Sequence, residues 1–176
     1  MKKFVLIGLI FLLAVVASGC GATRYDIKPE IKSEILLAKQ TKEVSLTPKY
    51  YRYTLIVPLI SRGENINPDV EQTDAGKKFL NLVKEELRNK GFIVSSSARV
   101  NIEVGFAYKK GITLIHTGFI ATRWKVSYKD YSLFEMVDSK NLSFWPTGEV
   151  FTEGKGKELA QSIVEKFSEE FKELGN

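Results

Sequence analysis

The strongest constraint on the fold of this chain is a ten-residue alternation. Val100, Ile102, Val104, Phe106 and Tyr108 are apolar, while Arg99, Asn101, Glu103, Gly105 and Ala107 between them are polar or small. A period of two is the mark of a β-strand with one face buried and one face wet. Such a strand needs neighbours and a cover for its apolar face. Two stretches supply the cover. Ala75, Phe79, Leu82, Val83 and Leu87 fall on one side of a helix that Thr73 or Asp74 caps and Gly91 stops. Leu159, Ile163, Phe167, Phe171 and Leu174 recur at spacings of three and four, giving a second amphipathic helix at the C-terminal end.

More strands surround the alternating one. Tyr53–Ile60 is a short apolar run with Pro58 near its end, so that end belongs at an edge or bulge. Phe119–Tyr128 and Tyr131–Val137 read as a hairpin around Lys129-Asp130, and Asp138–Asn141 as a turn into Leu142–Trp145. The order strand, helix, several strands, helix predicts an α+β two-layer sandwich. Its sheet is mixed but mostly antiparallel, with four to six strands and two helices on one face. The first strand, Tyr53–Ile60, and Val100–Tyr108 are expected as parallel neighbours through a crossover. One domain over 53–176 accounts for the pattern. Residues 20–52, charged and bracketed by Pro29 and Pro48, read as a tether that holds it off a surface.

The surface is implied by the first twenty residues. Lys2 and Lys3 precede 14 residues, Phe4–Ala17, in which Gly8 alone interrupts the large apolar side chains and small alanines. That is short for a transmembrane helix and suits a secretory signal over 1–19. Ala17-Ser18-Gly19-Cys20 follows, and Cys20 is the only cysteine of the chain. No intramolecular disulfide is possible, so the thiol of an exported protein needs another use. Net charge is +5, falling to +3 once Lys2 and Lys3 leave with the signal. That is too mild for a nucleic-acid binder with a basic stripe.

Groups for catalysis or metal binding are few. His116 is the only histidine, and Ser95, Ser96 or Ser97 could pair with it, but no G-x-S-x-G elbow is present. With one His and one Cys, a zinc site would rest on carboxylates. Residues 64–71 place oxygen donors at alternate positions but lack the glycine of an EF-hand loop. Gly154-Lys155-Gly156-Lys157 opens the last helix and reads as a helix start rather than an anion site. The aromatic residues of the strand region are the better lead. If Trp124 or Trp145 lies on an open sheet face, it becomes an anchor for a partner, with Arg123, Lys125 and Lys129 beside it. The expectation is a non-enzymatic protein that binds an envelope protein or component, with no metal and no nucleic acid. The alternative is a carrier holding a lipid or small apolar ligand between sheet and helices.

Ala17-Ser18-Gly19-Cys20 resembles the lipobox of bacterial lipoproteins, in which cleavage precedes the cysteine. The resemblance implies a diacylglycerol on the Cys20 thiol and an N-acyl chain on its amine, with no other cofactor. Gly21 and Ala22, neither of them Asp, imply outer-membrane delivery facing the periplasm in a two-membrane organism. The whole pattern is similar to small envelope lipoproteins that carry a domain of unknown function. It rests on Tyr53–Ile60, on Asn89-Lys90-Gly91-Phe92, on Asn101–Phe106 and on Phe144-Trp145 before the last helix. The likeness implies fold and location and brings no catalytic residue.

Overall fold

The computed structural model describes residues 22–50, 70–109, 119–141 and 153–175. Its elements in chain order are β1 (Thr23–Arg24), α1 (Pro29–Thr41), β2 (Glu43–Tyr50), α2 (Val70–Asn89), β3 (Ile93–Val94), β4 (Val100–Lys109), β5 (Phe119–Tyr128), β6 (Tyr131–Asn141) and α3 (Glu153–Glu173). Six strands form one sheet in the order β1-β6-β5-β4-β2-β3. The β2–β3 and β2–β4 pairs are parallel and the rest antiparallel. The α+β architecture and mixed sheet expected from the alternation are present, with three helices rather than two.

Pleat parity organises the core. Even-numbered residues of β4 and β5, Ile102, Val104, Phe106, Ile120, Trp124 and Val126, are buried with Phe134 and Met136 of β6. They meet Phe79, Val83 and Leu87 of α2 and Leu159, Ile163 and Phe167 of α3 in one cluster. All five apolar positions of the C-terminal periodicity are buried. Helix α2 ends as its sequence requires. Gly91 adopts φ 80°, Gly91 N–H donates to Arg88 C=O at 2.9 Å and Phe92 N–H to Leu87 C=O at 2.9 Å. This paired closure needs a left-handed residue that glycine supplies without strain.

Within the stretch read as a tether, residues 20–52, the described residues 22–50 are instead part of the fold. Helix α1 begins with Pro29 at its first turn, which costs no intrahelical bond. It buries Ile31, Ile35 and Ala38 against the common core. Lys42 closes it in the left-handed region at φ 52°, its N–H bonded to Ala38 C=O at 3.0 Å, and turns the chain into β2. Strand β2, not residues 53–60, is the described parallel neighbour of β4, with Leu46 opposite Ile102 and Tyr50 opposite Phe106. Pro48 is tolerated because β2 pairs with β3 only at Glu43 and Val44, leaving one side of its later half without a described strand. A three-residue apolar stripe and a strand of mixed polarity resemble linker when counted by composition.

Other boundaries shift less. Helix α2 starts at Val70, a turn before the capping positions Thr73 and Asp74. Strand β6 runs through Asp138–Ser139 to Asn141, where a turn was expected, because β5 continues opposite it to Phe119. Residues 53–60 and 142–145, read as strands, lie outside the described residues.

Candidate functional site

The face of the sheet opposite the helices carries the odd-numbered side chains of β2, β4 and β5; Ala107 and Ala121 on it are buried, and polar groups gather beside them. Arg123 on β5 and Glu135 on β6 are near neighbours in the register, where Lys125 is directly opposite Glu135. The Arg123 guanidinium donates to Glu135 Oε2 from Nε at 3.1 Å and also from a terminal nitrogen. Lys125 Nζ lies 3.7 Å from Glu135 Oε1, and the Tyr25 hydroxyl, entering from the β1 side, donates to that oxygen at 3.0 Å. Burial alone would raise the Glu135 carboxyl, but the hydrogen bonds from Arg123 and Tyr25 hold it below the ordinary carboxylate range. The same bond, with its negative charge, raises the Tyr25 hydroxyl. Further across, Lys49 meets Glu103 at 3.2 Å, and Asn101 accepts from Ser45 at 3.0 Å and Thr47 at 2.9 Å.

A second polar cluster closes one end of the sheet. Glu34 of α1 accepts from the Tyr128 hydroxyl, from Lys129 Nζ at 2.9 Å and from Arg99 at 3.5 Å. The Tyr128 hydrogen bond, then Lys129, keep the Glu34 carboxyl below its ordinary range, and Glu34 in turn raises Lys129. The Arg99 guanidinium, 3.4 Å from the Tyr128 hydroxyl, completes it. Lys39 of α1 ties the helix to the end of α3 through the carbonyls of Lys172 at 2.6 Å and Leu174 at 2.8 Å.

The candidate residues therefore separate. Trp124 is not a surface anchor. It is fully buried on the helix side, its ring centroid 5.7 Å from that of Phe167 and its indole N–H bonded to Thr122 Oγ1 at 3.0 Å. Its parity places it with Ile120 and Val126, so it must face the helices. Arg123 and Lys125 converge on Glu135, whereas Lys129, in the left-handed turn at φ 52°, is committed to Glu34. Trp145 and Cys20 lie outside the described residues. Glu135 and Glu34, the carboxylates that hold these cations, and Tyr25, which donates to Glu135, were not singled out from the sequence. For Glu135 the signal was its place opposite Lys125 in a hairpin; for the other two it was hidden in the supposed tether.

The serines that could pair with His116 stand before β4, with Ser95 Oγ 2.9 Å from Ser97 Oγ. His116 itself lies outside the described residues. Lys155, at the start of α3, is engaged by Glu158 at 2.6 Å. Among the described residues no three His, Cys, Asp or Glu side chains gather as a metal site, and no helix is long and apolar enough to cross a membrane.

No known family model matches the chain, and no curated protein matches it. Solved structures that follow a similar chain course include the PelC dodecamer from Paraburkholderia phytofirmans, at 8% identity. That match covers 82% of this chain and 95% of the other, with a TM-score of 0.46. A minor lipoprotein from Acinetobacter baumannii matches at 10% identity over 74% of this chain and 94% of its own, with a TM-score of 0.47. Likeness at this distance brings no site or function with it.

Proposed function

We propose that this protein is a bacterial envelope lipoprotein, held to the membrane by acyl chains on Cys20, whose domain binds an envelope protein or component without catalysing a reaction. The observation that carries the reading is the run from Lys2 to Cys20: positive start, 14 residues of apolar and small side chains, small residues, then the sole cysteine. Two or three acyl chains give stable anchoring where one gives only reversible binding. Gly21 and Ala22 favour the outer membrane and its periplasmic side.

Partner binding is preferred to carriage of an apolar ligand for a physical reason. A carrier of this architecture would hold its cargo between sheet and helices. Among the described residues that layer holds rings in contact: Phe167 lies 5.1 Å from Phe92, 5.3 Å from Phe171 and 6.0 Å from Phe134. The surface left for a partner is polar, along Lys49, Lys125 and their neighbours. The test is crosslinking in intact cells from a photoreactive residue at Lys125, with mass spectrometry of what is attached. A discrete envelope protein, lost when the crosslinker is moved to buried Val126, supports the reading. Recovery of lipid alone replaces it with carriage.

A further inference from the structure

The tether predicted over residues 20–52 is folded over its described part, from Thr23 to Tyr50, which changes how the domain must sit on its anchor. Thr23 and Arg24 pair with Glu135 and Phe134 of β6, and Tyr25 N–H donates to Leu133 C=O at 3.0 Å. Side chains lock the same segment. Arg24 reaches across to α3, with Nε 2.6 Å from Glu170 and a second contact to Glu173. Tyr25 is bound to Glu135, and Lys28 Nζ lies 4.9 Å above the Tyr131 ring. Only three residue steps separate Cys20 from Thr23, a span of about 10 Å at full extension. The headgroup layer on each side of a bilayer is itself roughly 5–8 Å thick.

We infer that the β1 edge of the sheet, Thr23–Tyr25, rests against the lipid headgroups, and that the β3 edge is turned away from the membrane. The inference rests on acylation of Cys20. Its second support is position: β1 is the outermost of the described strands, and the next five step away from it at about 4.8 Å each, so β3 lies some 24 Å further out. The chemistry of the edge suits the location. Tyr25 is 42% exposed, and Arg24 and Lys28 are also at the surface, the tyrosine and basic types that favour a membrane interface. Glu170 and Glu173 stand beside Arg24, so the contact is set by the short anchor and not by net positive charge. A bilayer at this edge also covers the side of β1 that pairs with no described strand. Partners must then approach from the polar face or the β2–β3 side.

The lone cysteine makes a direct test possible, because acylation of Cys20 leaves no free thiol. Full-length lipidated protein carrying Thr23→Cys, Asp26→Cys or Ile93→Cys, each labelled with a thiol-reactive fluorophore, is reconstituted into phosphatidylethanolamine–phosphatidylglycerol vesicles. Part of the lipid carries a nitroxide on its headgroup. Quenching at positions 23 and 26 should be several-fold stronger than at 93, and unchanged by high salt. Equal quenching at all three, or stronger quenching at 93, overturns the seating while leaving acylation intact. A parent protein whose Cys20 still reacts with the fluorophore and which stays free of vesicles overturns both.

Discussion

The two faces of the central sheet are built from the same strands and held by different means. On the helix side, Trp124, Val126, Phe134 and Ile102 are almost wholly removed from water and pack on rings from α2 and α3. On the other, Arg123 and Glu135 keep 14% and 18% of their side-chain exposure and are satisfied by each other. The first face derives its stability from area removed from water and tolerates no vacancy. The second exchanges water for paired charges, a near-balanced trade that leaves it free to vary or to bind. Apolar burial is thus concentrated on one face, and paired charge on the other.

That division can be broken from either side. The largest effect is expected for Phe167→Ala, which removes a ring shared by Phe92, Trp124, Phe134 and Phe171. A loss of about 3–5 kcal/mol is expected, measured by urea unfolding. Gly76→Ala comes next. A β-carbon there would collide with the Tyr50 ring, where α2 crosses β2. The expected loss is about 1–3 kcal/mol, largely relieved by adding Tyr50→Ala, and additivity of the two changes would refute the contact. On the polar face, Arg123→Ala should cost only about 1–2 kcal/mol, and a cost equal to that of Phe167→Ala would erase the contrast between faces.

The smallest effect is expected at the end of the sheet. Glu34 is held below its ordinary range by Tyr128 and Lys129, so it binds its proton less readily folded than unfolded. Its contribution is complete above an unfolded carboxylate pKa of about 4.3 and is lost as pH falls through the lower folded value. Glu34→Gln should therefore be slightly less stable than the parent at pH 7, with the gap closing toward pH 3. A gap that stays constant across that range contradicts the assignment.

Much of this was legible in the sequence because burial leaves a period. The alternation of Val100–Tyr108 and the spacing from Leu159 to Leu174 each report one dry face, and both are observed. The parity of Trp124 with Ile120 and Val126, against Arg123 and Lys125, was equally present in the sequence. It contradicts the expectation that this tryptophan anchors a partner. Helix α1 and β2 were not legible. Ile31, Ile35 and Ala38 are too few to distinguish a packed helix from a tether, and tertiary contact supplies the rest. The ion pairs were unreadable for another reason: Glu34 lies 95 residues from Lys129 in the chain, and only the fold brings them together.

The central claim is that Cys20 carries the anchor, and the mass of the mature protein tests it most directly. Intact-protein mass spectrometry of membrane-extracted material, with sequencing of the N-terminal peptide, should give a chain that begins at Cys20 and carries two or three acyl groups. A chain that retains residues 1–19, or one with an unmodified Cys20 thiol, would contradict the account.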